Sequence, residues 1–247
     1  MILKVKSDLQ IFNDVNFKFD PKYHKYTYKG KIYISVTTFL KNFYKTFDVD
    51  YWSKKKSEDF GVPSEWLLKE WKDKNDRANY IGVNLHEYIE KYFNQEYQPL
   101  PVDIDIVDRI NKFNKIYVSH LFKLQPVQFE LRVFSKKYPI AGTIDSIFIY
   151  NGKIFLLDWK SNKDFRHDDH PKGRYNKLLH PFEDYYENHL NEYSIQVSLY
   201  SLILEEWGFD VAGAYLVHFG PDEDAKIYKS KDMRGPLREY LNSYQFN

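Results

Sequence analysis

The stretch Ile140-Ala141-Gly142-Thr143-Ile144-Asp145-Ser146-Ile147-Phe148-Ile149-Tyr150, then Asn151-Gly152, then Lys153-Ile154-Phe155-Leu156-Leu157-Asp158-Trp159-Lys160, decides how this chain reads. Two apolar runs rich in β-branched and aromatic residues, joined by Asn-Gly, signal a hairpin, because that pair tolerates the left-handed backbone of a two-residue turn. Each run carries one aspartate among apolar neighbours. Counting back from the turn places Asp145 opposite Asp158 or close to it, and the strand period of two puts Lys160 on the face of Asp158. As plain edge-strand charges, Asp158 and Lys160 would discourage aggregation. That suits Lys160, but a carboxylate directly after Ile-Phe-Leu-Leu is costly unless a cation meets it. The expectation is a metal-binding site on one sheet face.

With 247 residues, the chain fits one large domain or a core with an added N-terminal lobe. A formal net charge of +1 means that any nucleic-acid surface is a local patch. Aromatic residues make up 19% of the chain, which is weak support for stacking on bases. The absence of Cys excludes disulfides, thiolate metal sites, iron–sulfur clusters and a Cys nucleophile. No apolar run is long enough for a bilayer and no signal pattern opens the chain, so a soluble cytoplasmic protein with no membrane partner is expected.

Residues Phe17 to Ile34 alternate as strands, with a turn at Lys29-Gly30, and Ser35 or Thr37 caps a short helix through Leu40. A charge-rich helical region follows, with Trp52, Trp66 and Trp71 at positions suited to packing. Pro63-Ser64-Glu65 starts a helix that resumes or continues from Asp76 to Phe93. After the break at Gln98-Pro99-Leu100-Pro101, Ile104, Val107, Ile110, Phe113 and Tyr117 repeat as the buried stripe of a helix. Pro126 to Phe134 alternates as a strand leading into the hairpin. Ser161 to Asn191 reads as a long polar loop. Ile195, Leu199, Leu202 and Ile203 form one helical face ending near Trp207-Gly208, followed by a strand from Val211 to Phe219 and a short helix from Pro236 to Tyr244. Helix, three strands, helix and strand in that order predict an α/β fold with a mixed central sheet, the last strand returned by a crossover helix. An N-terminal hairpin and helical lobe (1–100) precedes this core (101–247), the two making one compact unit.

Gly142-Thr143-Ile144-Asp145, twelve residues, then Asp158-Trp159-Lys160-Ser161 resembles the Asp…(Asp/Glu)-x-Lys signature of the PD-(D/E)xK nuclease superfamily. Gly82-Val83-Asn84-Leu85-His86-Glu87-Tyr88-Ile89-Glu90 is similar to the Gly-x-x-x-His-x-x-x-Glu helix of its RecB-like exonuclease branch. Glu130 stands where many members have a strand glutamate, and Gln196-Val197-Ser198-Leu199-Tyr200 resembles the Gln-x-x-x-Tyr helix motif. Tyr33-Ile34-Ser35-Val36-Thr37-Thr38 is similar to members related to the mitochondrial genome maintenance exonuclease and phage-type relatives. The likeness spans about Phe17 to Phe219. Ile144 replaces the proline that names the superfamily, which leaves the carboxylates untouched. The resemblance implies a restriction-endonuclease-like αβββαβ core.

Asp145 and Asp158 offer hard oxygen ligands suited to Mg²⁺ or Mn²⁺, one ion or two, with the Trp159 carbonyl a further ligand. Lys160 has three open roles: positioning the attacking water, deprotonating it, or steadying the pentacovalent phosphate. The motif positions imply that His86 completes the metal shell and that Glu130 is a ligand or binds water. Gln196 and Tyr200, four apart on one helical face, would orient Lys160 or a substrate phosphate. Ser161 and Arg77 join them as substrate-binding residues. Arg77 and nearby lysines would line an arch that threads a single strand.

Other patterns lead elsewhere. His86-Glu87-x-x-Glu90 lacks the second His of a zincin, and His167-Asp168-Asp169-His170 lies in a polar loop where an HD-type site needs helices. No Gly-x-x-x-x-Gly-Lys-Ser/Thr loop occurs, so no ATP motor is expected. The resulting expectation is a metal-dependent DNA nuclease, an exonuclease by its resemblance, acting on single strands or opened ends in replication, recombination or repair alongside proteins of those processes. The alternatives are a structure-specific endonuclease and a non-catalytic nucleic-acid-binding protein on a nuclease fold.

Overall fold

Turn chemistry sets the hairpins. In the computed structural model, which describes residues 1–168 and 176–246, Asn151 and Gly152 both take positive φ (48° and 78°), as do Lys29 and Gly30 (48° and 79°). Both pairs therefore turn with the twist of their flanking strands. The strands are β1 (Phe17–Asp20), β2 (Lys25–Tyr28), β3 (Lys31–Ser35), β4 (Gln125–Phe134), β5 (Ile140–Tyr150), β6 (Lys153–Lys160), β7 (Val211–His218) and β8 (Lys226–Lys229). The helices are α1 (Ile2–Asp8), α2 (Val36–Phe39), α3 (Val49–Phe60), α4 (Ser64–Phe93), α5 (Ile104–Ile116), α6 (His189–Glu206) and α7 (Arg234–Ser243).

The strands form one mixed sheet in the order β1-β2-β3-β5-β6-β7-β8, with β4 also pairing β5. β4, β5 and β6 form an antiparallel meander, and β7 lies parallel to β6 after the α6 crossover. One edge of β5 carries β4. The other carries β6 from Ser146 onward and, at Ile140 and Ala141, the parallel end of β3. Alternate residues feed two cores. Ile147, Ile149 and Leu156 pack with α6 and α7, while Phe148, Leu157, Trp159 and Phe129 pack with α4 and α5. The mixed sheet is thus covered by helices, as the residue patterns predict.

Capping accounts for several helix starts. Ser35 Oγ accepts from Thr38 N, Asp103 caps α5, and Asn188 Oδ1 accepts from Asn191 N ahead of α6. Helix α4 runs unbroken for 30 residues, so the segment from Asp76 continues the helix begun at Ser64. It is long enough to carry His86 along the sheet to the strand ends.

Three expectations need correction. Ile104 is 80% exposed, and the buried stripe of α5 is Ile106, Ile110, Phe113 and Ile116. Ile104, the first residue after the Asp103 cap, faces solvent, and the stripe starts two residues later at Ile106. Trp52 and Trp66 are exposed instead of packed inward. The loop after β6 ends sooner than expected, since α6 begins at His189, and it holds a Lys177–Tyr186 bridge. Asp169 and His170 of the His-Asp-Asp-His pattern lie outside the described residues. Two further elements, α1 and β8, were not foreseen in the sequence. Each is short and neither has a buried residue, β8 having two half-buried and two exposed ones.

Candidate active site

The β5–β6 ladder runs from Tyr150↔Lys153 to Ser146↔Leu157 and stops one step before Asp145 and Asp158. There a side chain takes over. Asp145 Oδ2 accepts from Trp159 N at 2.8 Å, where a strand carbonyl would otherwise sit. On the far side Lys160 O accepts from Phe219 N of the segment after β7. The alternation of a strand backbone then turns the N–H and C=O of Trp159 toward the gap beside β5.

Into this gap α4 brings His86. Its Nε2 lies 2.9 Å from the Trp159 carbonyl and 3.7 Å from Asp145 Oδ2, and its Nδ1 lies 3.2 Å from Glu130 Oε1. A carbonyl and a carboxylate only accept, so both ring nitrogens carry protons and the ring is an imidazolium. Burial works against that charge, but the Asp145 and Glu130 carboxylates outweigh it and push the His86 pKa up to about 9.

Glu130 reaches the gap at a conformational cost. It falls between Phe129 and Leu131, whose partners are Ser146 and Ile144, so it lies opposite Asp145. Its φ is +45°, a left-handed backbone that costs a non-glycine residue about 1–2 kcal/mol. Strain of this kind persists where the surroundings hold it, often at functional positions. Ligand atoms of His86, Glu130 and Asp145 all lie within 4.8 Å of one another.

Asp158 and Lys160 lie beside this cluster. The Asp158 side chain is 3% exposed, with Lys160 Nζ 2.7 Å from its Oδ2. Apart from that ammonium its oxygens are buried without a donor. Burial pushes the Asp158 pKa up to about 6, against the pull of Lys160. Burial alone would lower the Lys160 pKa, yet Asp158 and Asp145 hold it above the ordinary lysine value. Lys160 Nζ also donates to Gln196 Oε1 at 3.4 Å and stands 4.3 Å over the Tyr193 ring. Tyr200 is buried against Gly142, where an added Cβ would come within 2.7 Å of its ring.

The structure therefore brings together Asp145, Asp158, Lys160, Glu130, His86 and the Trp159 carbonyl, with Gln196 and Tyr200 behind them. Ser161 lines the same 1110 Å³ cavity, packed close to Gly82 of α4. Arg77 does not line it. Its guanidinium is held by Asp103 at 2.6 and 2.8 Å and by Asp105 at 2.5 Å, which ties α4 to the start of α5. Arg77, expected to bind substrate, makes an interhelix clamp with these carboxylates.

Sequence reasoning missed Tyr193 and Arg132. Tyr193 was legible, since it precedes Gln196 by three and Tyr200 by seven, the spacing of one helical face. Arg132 lines the cavity two residues after Glu130.

The donor set suits a hard divalent cation: carboxylates, a backbone carbonyl and one imidazole nitrogen. The fit rests on the buried, donor-poor oxygens of Asp158 and on a proton-loaded His86 drawn among carboxylates. Exchanging the His86 proton for a cation would leave the same acceptors satisfied.

No family model matches the chain, and no curated protein matches it. A solved structure, "Crystal structure of SSO0001", is similar at 16% identity and a TM-score of 0.27, over 68% of this chain and 74% of that one. A likeness of that size carries no argument about fold or chemistry.

Proposed function

We propose that this chain is a metal-dependent DNA nuclease, an exonuclease of the RecB-like PD-(D/E)xK kind, with α5-β4-β5-β6-α6-β7 as its restriction-endonuclease-like core. The observation that carries the reading is the convergence of Asp145, Asp158 and Lys160 at the splayed end of β5 and β6, with Glu130 and His86 closing the ring of ligands. Few purely structural demands would gather three carboxylates beside a lysine at the edge of a large cavity.

Asp145, Asp158, the Trp159 carbonyl and His86 would hold Mg²⁺ or Mn²⁺, which supplies charge neutralisation at a non-bridging oxygen and a more acidic water. The chain's own residues account for the rest. Lys160 is held protonated by its two carboxylates, so of its open roles the fitting one is electrostatic: the ammonium steadies charge gathering on the phosphoryl group. Gln196 and Tyr193 fix its direction. Asp158, held 2.7 Å from the Lys160 ammonium, would serve as a cation ligand that also keeps Lys160 at the reaction centre. The single strand or opened end lies in the 1110 Å³ cavity between α4, β4 and the N-terminal half of α6.

The test is a product time course on end-labelled single- and double-stranded DNA with Mg²⁺ or Mn²⁺. Wild type should release short products and spare a circular single strand. Asp158→Ala should lose at least about 100-fold in rate. Equal traces of activity in both proteins would overturn the reading.

A further inference from the structure

We infer that Arg132 is the phosphate anchor of the substrate strand, resting on the nuclease reading above. Most arginines of the described residues are held by carboxylates: Arg77 by Asp103 and Asp105, Arg109 by Asp108, Arg234 by Asp232 and Glu205, and Arg238 by Glu205. Arg132 has no such partner. Its guanidinium carbon lies 5.0 Å from the centre of the Phe19 ring on β1, and it makes no ion pair or hydrogen bond among the described residues. Packing on an aromatic face fixes the plane of the fork while leaving its N–H donors open.

Its position gives that opening a purpose. Arg132 follows Glu130 by two residues on β4 and lines the cavity that holds His86, Glu130 and Lys160. It also lines an adjoining 380 Å³ cavity floored by Phe12, Phe17 and Phe19. The opposite wall, on α4, carries Glu87 and Glu90. Lys160 is engaged by Asp158 and Glu87 by Lys91, while on the near side Glu130 lies against His86 and Asp14 accepts from Tyr28. Arg132 is therefore the arginine that an incoming polyanion meets on this rim, and Glu90 disfavours the α4 side. The phosphates of a bound strand therefore run along β4 and the β1–β2 hairpin, one of them seated on Arg132 in the bidentate fashion that a guanidinium favours.

The test measures binding of 3′-labelled oligothymidylate, with either a 5′-phosphate or a 5′-hydroxyl, across a salt series in Mg²⁺. It uses full-length Asp158→Asn protein with Arg132 intact or changed to Gln or Lys. Arg132→Gln should weaken binding about tenfold or more and reduce the salt slope by about 0.7, the share of one single-strand phosphate contact. Arg132→Lys should restore the slope but only part of the affinity. A penalty confined to the 5′-phosphorylated strand identifies a terminal phosphate, and an equal penalty identifies an internal diester. Unchanged affinity and slope in Arg132→Gln, while wild type cleaves DNA, would overturn this inference alone. Absence of both binding and cleavage would remove the nuclease reading with it.

Discussion

At the residue scale, the site stores charge in a form that pH can unload. The pKa of His86 rises from 6.5 to about 9 in the folded chain. Between those values the folded state holds a proton that the unfolded state has lost, so the stabilisation is complete below pH 6.5 and disappears as pH climbs through 9. Asp158, raised from 3.8 to about 6, has spent its effect below that window. His189, lowered to about 4 by burial and Arg166, acts with the opposite sign and only below 6.5. With a chelator present, thermal unfolding midpoints should therefore fall as pH goes from 6.5 to 9, and His86→Gln should flatten that decline. A wild-type profile that stays level or rises would show that His86 is not held as an imidazolium.

At the element scale, the site depends on how closely helices approach the strands. Gly142 has an ordinary backbone but no room: a Cβ there would meet Tyr200 at 2.7 and 3.0 Å and Val36 at 3.1 Å. Both neighbours are buried and cannot swing aside. Gly142→Ala should cost about 1–3 kcal/mol in denaturant unfolding and lower cleavage by displacing Tyr200 from behind the carboxylates. Gly235→Ala, in α7 with open space around its Cβ, should leave stability unchanged or raise it by less than about 1 kcal/mol. Equal losses in the two variants would mean that the α6–β5 contact is not tight.

The same scale shows what the residues foretold. The Asn151-Gly152 turn fixes register locally, so counting puts Asp145 and Asp158 side by side, one step past the last paired residues, with Lys160 beside them. Periodicity found α4, α5 and α6, but it misplaced the first turn of α5, because Asp103 ends the chain's freedom one residue before Ile104. The apolar face of α6 read from Ile195, Leu199, Leu202 and Ile203 is only part of what is buried, since the helix is covered on nearly every side from Ser194 to Leu204, the flank of Gln196 and Tyr200 included. The left-handed turn at Glu130 and the capture of Arg77 by Asp103 are long-range outcomes with no local signature.

At the scale of the whole molecule, the mixed sheet offers its splayed end between two helical layers. One layer contributes His86, the other Tyr193, Gln196 and Tyr200, and the strands supply the carboxylates and Lys160. Among the described residues no helix is long and apolar enough to cross a membrane. The N-terminal hairpin is part of the same sheet through β3 and β5, and Tyr26 of β2 is hydrogen-bonded to Thr143, two residues before Asp145. That bond gives residues 1–100 a direct hold on the strand that carries the central carboxylate.

The proposed metal centre stands or falls on divalent-cation binding at Asp145 and His86, and titration calorimetry with Mn²⁺ in buffers of different ionisation enthalpy measures it most directly. Wild type at pH 7.5 should bind Mn²⁺ and release about one proton per ion, the proton displaced from His86. Asp145→Asn should bind at least about tenfold more weakly. No heat of binding in wild type, or equal affinity in Asp145→Asn with no proton released, would contradict a metal centre at this place.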